Sequence, residues 1–325
     1  MEYVNFGSAG IKVSKIALGM GFRGQADEAM AQRVVEYAIE QGINLIDCAN
    51  IYGPMDDRAN IGRSEMILGR ALKGKREDVV ITTKVCGQIG SGPNDSGLSR
   101  AHIMREVQRS LKRLDTDYID VYLVHGPDVF TPQEETIRAL DDLVRSGIVR
   151  YIGCCNHAAW QVCRALWLAE KLHCVPYMCV QHPYSLVNRG LETEMFGLVR
   201  EQGLGVMAYS PLGVGLLTGT YTPDNIAPID SLWGTRRKDI YANTMTGAVG
   251  ELVKLLHTEA AHLTKTPAQL ALAWVLSRPE VSVAITGADT IEHIKDNLGG
   301  IGWAVPTNVL AELNQASSAL RLILD

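Results

Sequence analysis

Short apolar runs alternate with helix-patterned stretches along almost the whole chain, and this alternation limits the fold more than any other feature. Strand-like segments fall near residues 15–19, 43–48, 79–84, 118–125, 150–155, 177–181, 205–209 and 282–286. Apolar residues at helical spacing fill the stretches near 28–41, 64–73, 99–114, 134–146, 157–172, 191–202, 247–277 and 290–298. Gly42, Gly74, Gly147 and Gly203 each follow a helical run as local stop signals. Strands linked by helical crossovers run parallel with right-handed connections, and eight such units favour closure into a (β/α)8 barrel over an open sheet. The length of 325 residues suits one such barrel, and no linker-like segment divides it, so residues 1–325 read as a single domain.

The chain opens with a different pattern. Tyr3 to Phe6, Gly7 to Gly10 and Ile11 to Ser14 read as a β-hairpin, which would close the N-terminal end, the bottom, of the barrel. Chemistry is then left to the opposite end, where longer connections rich in Gly and Pro follow strands at 49–63, 86–98, 126–133 and 210–246. The last stretch, 307–325, carries Leu310, Leu313, Ala316, Leu320 and Leu322 at helical spacing, which predicts a docked C-terminal helix.

Bulk properties narrow the class of function. The 46% hydrophobic content supplies a sizeable core, while a net charge of -5 with scattered Lys and Arg lacks the basic face of a nucleic-acid binder. Neither a basic start with an apolar stretch nor an uninterrupted membrane-length segment is visible; the most apolar region, 204–217, is broken by Ser210, Pro211 and several glycines. A cytoplasmic protein without a membrane partner is expected. Seven cysteines, an odd number without paired metal-type spacing, read as reduced thiols, and no metal site is expected. No surface stripe chooses between a monomer and a homo-oligomer.

Asp47, Tyr52, Lys84 and His125 lie at or just beyond the ends of three of the apolar runs, 43–47, 79–84 and 118–125. If these runs are neighbouring parallel strands, a carboxylate, a phenol, an ammonium and an imidazole converge. Asp47 and Lys84 both end apolar runs, where an unpaired charge costs several kcal/mol, so mutual pairing is the least costly account of both. An ordinary phenol with a pKa of about 10 exchanges protons poorly near neutrality, and an adjacent ammonium would lower it. The set suits protonation of an oxygen as a carbonyl becomes an alcohol, and the reverse, with His125 orienting the substrate oxygen. Taken singly, each residue has an ordinary structural reading: packing for the tyrosine, a surface charge for the lysine, a satisfied core imidazole for the histidine.

At these residues the chain resembles the aldo-keto reductase family, of the general bacterial type related to potassium-channel β-subunit-like members. The resemblance runs over essentially the whole length and rests on Ile46-Asp47-Cys48-Ala49 followed by Tyr52-Gly53, Thr83-Lys84, Asp117-Tyr118-Ile119-Asp120-Val121-Tyr122 through His125, and Gly153 to Asn156. Gln181, Tyr209-Ser210-Pro211-Leu212-Gly213, Leu216-Leu217-Thr218-Gly219, Gly287 and Asp296-Asn297 complete it. The resemblance implies Tyr52 as general acid/base with Asp47, Lys84 and His125 as partners, a hydride from a nicotinamide cofactor, and a small-molecule carbonyl or alcohol as substrate. It further implies cofactor contacts from Asp47, Cys155, Asn156 and Gln181 near the nicotinamide, Tyr209 stacking on its ring, Ser210, Leu212 and Gly213 along the pyrophosphate, and Gly19 and Met20 beside strand 1. Gly287, Asp289, His293, Asp296 and Asn297, with Arg237 or Arg236, would take the adenosine end.

The sequence departs from the family pattern at Asp289, where Ser, Lys or Arg is common, and at His293, where Arg or Gln is common. A carboxylate there repels a 2′-phosphate and suits a free ribose hydroxyl, so NADP is the cofactor expected from the family and NAD the alternative. Cys48 and Cys155 replace Thr and Ser. The substrate pocket is expected from Tyr52, His125, the 126–131 loop and some of Phe22, Trp160, Trp233 and Tyr241, open enough for a cyclic or sugar-like carbonyl. Two other classes of role compete: a nucleotide-binding regulatory subunit of the kind related barrels provide to potassium channels, and a metal-dependent barrel hydrolase using Asp47, His125, His157 and His182. The intact four-residue set disfavours the first, and the absence of ligand spacing on one strand disfavours the second.

Overall fold

The computed structural model describes residues 1–22, 24–229 and 231–322. Positions 323–325 of the expected C-terminal helix lie outside the described residues. Eight parallel strands, β3 (Ile16–Gly19), β4 (Leu45–Asp47), β5 (Val80–Val85), β6 (Ile119–Val124), β7 (Val149–Cys155), β8 (Cys179–Pro183), β9 (Gly205–Tyr209) and β10 (Val283–Gly287), pair in chain order, and β10 closes the barrel on β3. The antiparallel hairpin of β1 (Tyr3–Asn5) and β2 (Lys12–Ser14) precedes them, with Tyr3 opposite Ser14.

The hairpin closes the bottom because its tip enters the barrel wall. Fully buried Phe6 joins an inner core of Val13, Ala17, Leu45, Val121, Leu123, Cys179, Met207 and Val283. The approach is so close that a Cβ on Gly205, at the start of β9, would lie 2.5 Å from the Phe6 ring. Gly7 adopts a left-handed φ of +59 and passes so near the Gly205 nitrogen that a side chain there would overlap it, which makes glycine a requirement at this turn.

Around the barrel lie α1 (Glu28–Glu40), α2 (Arg63–Ala71), α3 (Arg100–Leu114), α4 (Gln133–Arg145), α5 (Ala159–Leu172), α6 (Met195–Gln202), α7 (Lys238–Thr244), α8 (Gly247–His262), α9 (Pro267–Leu276), α10 (Ile291–Leu298) and α11 (Thr307–Ser317). Each buries the stripe its spacing sets; α1 turns Ala31, Val34, Val35 and Ala38 inward and is capped by the Asp27 carboxylate. Two findings differ from the sequence reading. The stretch 247–277 is two helices, because Thr264 adopts a left-handed φ of 54 and Pro267, lacking an N–H, starts a new helix at its first position. Thr266 and Gln269 then form a capping box on α9. The long connection 210–246 also contains α7, too short a pattern to stand out. Among the described residues no helix is long and apolar enough to cross a membrane.

Candidate active site

Parallel register sets the ends of β3 and β4 level with the middle of β5: Gly19 pairs with Asp47, and Asp47 with Thr82. Successive side chains of a strand point to opposite faces, so Thr82 and Lys84 turn into the barrel and Thr83 turns out. Lys84 Nζ lies 2.8 Å from Asp47 Oδ2 and 2.6 Å from the Cys48 carbonyl oxygen, and is fully buried. Asp47 Oδ1 accepts from the Thr82 hydroxyl and from Gln181 Nε2, the latter at 2.8 Å. Burial works against the Lys84 ammonium, but Asp47, Tyr52 and Cys155 outweigh it and hold its pKa well above the usual lysine range. Thr82 is a member of this cluster that the sequence reading missed; its place two residues before Lys84 on one strand face was the available signal.

Tyr52 stands on a turn beyond β4, with its N–H donating to the Ala49 carbonyl at 3.1 Å and its own carbonyl accepting from Gly62 and Ser64. Its hydroxyl lies 3.5 Å from Lys84 Nζ and 3.4 Å from His125 Nε2, and the Tyr52 and His125 rings meet edge to face with centroids 5.6 Å apart. Thus the structure brings all four expected residues together. Burial pushes Tyr52 up to about 12, outweighing Lys84, which lowers the phenol pKa as expected. Burial, reinforced by Lys84, pushes the His125 imidazole down to about 3, so it is neutral at physiological pH.

Most of the residues expected around a cofactor lie on this rim. Asn156, in the left-handed region at the end of β7, donates through Nδ2 to the His125 carbonyl at 3.0 Å and accepts at Oδ1 from the Tyr209 hydroxyl at 3.0 Å. Gln181 follows on β8, with Cys155 Sγ 3.7 Å from its Oε1; Cys155 is fully buried. Met20 is buried and its N–H donates to the Asp47 carbonyl at 2.8 Å, which makes it a strut of the rim. After β9 the chain enters the left-handed region at Ser210, Gly213, Val214, Gly215 and Gly219, an unusual density that includes two side-chain-bearing residues. Leu212 is half-buried and its carbonyl accepts from Gly215 and Leu217.

The remaining residues lie further along the rim. Gly287 is exposed with open space where a Cβ would stand, and Asn297 Nδ2 lies 3.5 Å from its carbonyl oxygen. Asp289 packs against Gly24, its carbonyl accepts from Gln25 Nε2 at 2.9 Å, and its N–H lies 3.3 Å from Nδ1 of exposed His293. Asp296 turns Oδ1 to α9, accepting from Thr266 Oγ1 and Gln269 Nε2 at 2.8 Å each, so this oxygen joins α10 to α9. Arg237 stacks over the Trp233 ring at 5.4 Å, and Arg236 donates to the Met55 carbonyl at 2.7 Å.

The expected pocket aromatics divide. Trp233 is fully buried with its Nε1 donating to the Val214 carbonyl, Tyr241 donates to the Thr222 carbonyl, and Phe22 is buried. These three brace loops from inside, since aromatic rings gain more from burial than from lining an open cleft. Trp160, Val129 and Phe130 are exposed on mouth-side connections, as are Met55, Ile226, Ile229 and Ile240. His157 donates or accepts through Nδ1 at the Cys155 carbonyl, and among the described residues no group of three or more His, Cys, Asp or Glu is placed to hold a metal ion.

Comparison with known proteins agrees with this geometry. The family model described as "Aldo/keto reductase family" matches residues 15–317. The chain is 38% identical over 308 residues to a "Probable voltage-gated potassium channel subunit beta" of Arabidopsis thaliana, covering 93% of this chain and 91% of that protein. A protein with the same description from Oryza sativa subsp. japonica is 38% identical over 92% of this chain and 90% of its own. An "Uncharacterized oxidoreductase YrpG" of Bacillus subtilis is 37% identical over 97% of this chain and 95% of its own length. On these matches, carried by a closed eight-stranded barrel with the four-residue cluster at its mouth, the chain belongs to the aldo/keto reductase family of oxidoreductases.

Proposed function

We propose that the protein is a cytoplasmic, NADP(H)-dependent oxidoreductase that interconverts an aldehyde or ketone, cyclic or sugar-like, with its alcohol, using Tyr52 as general acid/base. The observation that carries this reading is the place of the Tyr52 hydroxyl, 3.5 Å from Lys84 Nζ and 3.4 Å from His125 Nε2. A carbonyl oxygen held there meets a proton donor and a second polar group at once, within the reach that general acid catalysis needs.

The residues fit a nicotinamide dinucleotide. Asn156 and Gln181 offer amide groups at neighbouring strand ends, half-buried Tyr209 offers a ring face, and the left-handed loop from Ser210 to Gly219 offers backbone amides for phosphates. Bound, the cofactor supplies the hydride for the carbonyl carbon. The protein's own part is electrostatic and acidic. Lys84, fixed by Asp47, stabilises negative charge as it develops on the oxygen, and Tyr52 delivers the proton. A phenol held up at about 12 remains acid enough, because an alkoxide is far more basic than a phenolate. His125, neutral, offers one imidazole nitrogen to orient the oxygen.

NADP is assigned from the family, with Arg237 or Arg236 as the cationic contact; Asp289 argues for NAD, since a carboxylate disfavours the doubly charged 2′-phosphate. Titration of the protein with NADPH and with NADH, read by quenching of Trp and Tyr fluorescence, decides between them. Binding of neither nucleotide would end the reading. A second reading is a nicotinamide-nucleotide-binding regulatory subunit with slow chemistry, favoured by the similarity to two plant proteins described as probable potassium channel β subunits. It requires nucleotide binding with only slow turnover across a panel of aldehydes and ketones.

A further inference from the structure

We propose that Asn50, anchored to the buried carboxylate of Glu106, is a positioning residue that fixes where the Tyr52 hydroxyl stands; this rests on Tyr52 being the proton donor. Asn50 lies in the turn that carries Tyr52 and is fully buried. Its N–H donates to the Lys84 carbonyl at 3.3 Å, and its Nδ2 donates to Glu106 Oε2 on α3 at 3.3 Å. Asn50 Oδ1 is buried without a hydrogen-bond partner among the described residues, so the bond to Glu106 sets the orientation of the side chain.

Glu106 is itself unusual. It is fully buried on the face of α3 that carries Ile103, Val107 and Leu114. Its other oxygen takes a hydrogen bond from Arg109 at 2.9 Å and lies 3.9 Å from Arg105 Nε, with those side chains 48% and 36% exposed. A carboxylate on that face is a costly way to fill space that an apolar side chain fills better, and pairing with two partly exposed guanidiniums offsets only part of the cost. What an apolar residue could not do is hold an amide from the Tyr52 turn.

The same device recurs one strand position from Lys84. Fully buried Glu65 on α2 accepts from Thr83 Oγ1 at 2.6 Å and from Arg113 Nε at 2.6 Å. Buried Tyr122 senses both carboxylates: burial raises its phenol pKa, and Glu65 and Glu106 raise it further. The strand that carries Lys84 thus faces Asp47 and Tyr52 on its inner side and two anchored carboxylates on its outer side. One carboxylate ties down the Tyr52 turn, the other the neighbour of Lys84.

The test compares wild type, Asn50→Ala, Asn50→Asp and the exchange Asn50→Asp with Glu106→Gln, using NADPH and a panel of aldehydes and ketones. Asn50→Ala and Asn50→Asp are expected to lose kcat on the order of 10–100-fold with KM and the NADPH Kd within about twofold, as a small misplacement of a reacting group demands. The exchange restores an amide–carboxylate pair and is expected to recover kcat, a rescue that a packing role does not predict. Folded Asn50→Ala with wild-type kcat, or an exchange variant no better than Asn50→Asp, would overturn the proposal while leaving the role of Tyr52 intact. A wild type that binds NADPH yet reduces nothing in the panel would overturn that role and the proposal with it.

Discussion

The ammonium of Lys84 lies 2.8 Å from Asp47 Oδ2, with side-chain exposures of 0% and 4%. Removing one partner leaves a buried, uncompensated charge. Lys84→Met is expected to lose about 3–5 kcal/mol of stability in denaturant unfolding, together with nearly all turnover. Adding Asp47→Leu should return much of the stability and none of the activity, because two apolar residues no longer bury a charge. A double variant as unstable as Lys84→Met would contradict this account of the pair.

Tyr52 gives different pH signatures in the two reaction directions. Tyr52, held up at about 12, keeps its proton through neutral and mildly alkaline pH, so carbonyl reduction should show no loss from its ionisation below about pH 10. Alcohol oxidation needs the phenolate and should rise with pH across the same range. Parallel profiles in the two directions, measured from pH 6 to 10, would argue against Tyr52 as the shared acid and base.

His125 carries a stability signature as well. Its folded pKa is lowered to about 3 from the ordinary 6.5, so the unfolded chain binds the extra proton between these values. The contribution of neutral His125 is fully present above about pH 6.5 and is lost as pH falls towards 3. His125→Gln should therefore flatten the decline of stability in that window; an unchanged slope would show that the imidazole is not held neutral.

Gly53 follows Tyr52, and a Cβ there would lie 1.9 Å from the Asn60 carbonyl oxygen. Since backbone cannot yield as a side chain does, Gly53→Ala must move the turn that carries the phenol. Turnover should fall by on the order of 100-fold, with nucleotide binding at the distant strand ends retained. Wild-type kcat in this variant would show that the turn tolerates displacement.

Thr266 caps α9 and also donates to Asp296 on α10. Thr266→Ala should cost about 1 kcal/mol or somewhat more in unfolding experiments, since both bonds are lost. A change below the error of the measurement would mean that the cap and the helix contact are dispensable.

The barrel was legible because each of its eight strands is a short, mostly apolar segment set between helix-patterned stretches, and parallel strands buried on both faces have that composition. The four-residue cluster followed, since charges at the ends of such runs have few places to go. Helix boundaries were less legible: the apolar pattern continues through 247–277, and the break depends on Thr264 and the cap at Thr266, local details that periodicity averages away. The aromatics of the mouth were misassigned in part, because the sequence does not distinguish a tryptophan that braces a loop, as Trp233 does, from one that faces solvent, as Trp160 does. Asn50, Glu65, Thr82 and Glu106 were invisible for another reason. Thr82 acts through a strand-to-strand bond to Asp47, while Asn50, Glu65 and Glu106 act through contacts between the barrel and its outer helices, whose signal was a carboxylate at a position where helical spacing calls for an apolar residue, as at Glu106 between Ile103 and Val107.

The central claim, that the Tyr52 hydroxyl transfers the proton, is tested most directly by Tyr52→Phe. The ring remains and one oxygen is removed. Turnover is expected to fall by three orders of magnitude or more, on the order of the upper range for a positioned acid, with the NADPH Kd within about twofold of wild type. Turnover within tenfold of wild type, with nucleotide still bound, would contradict it.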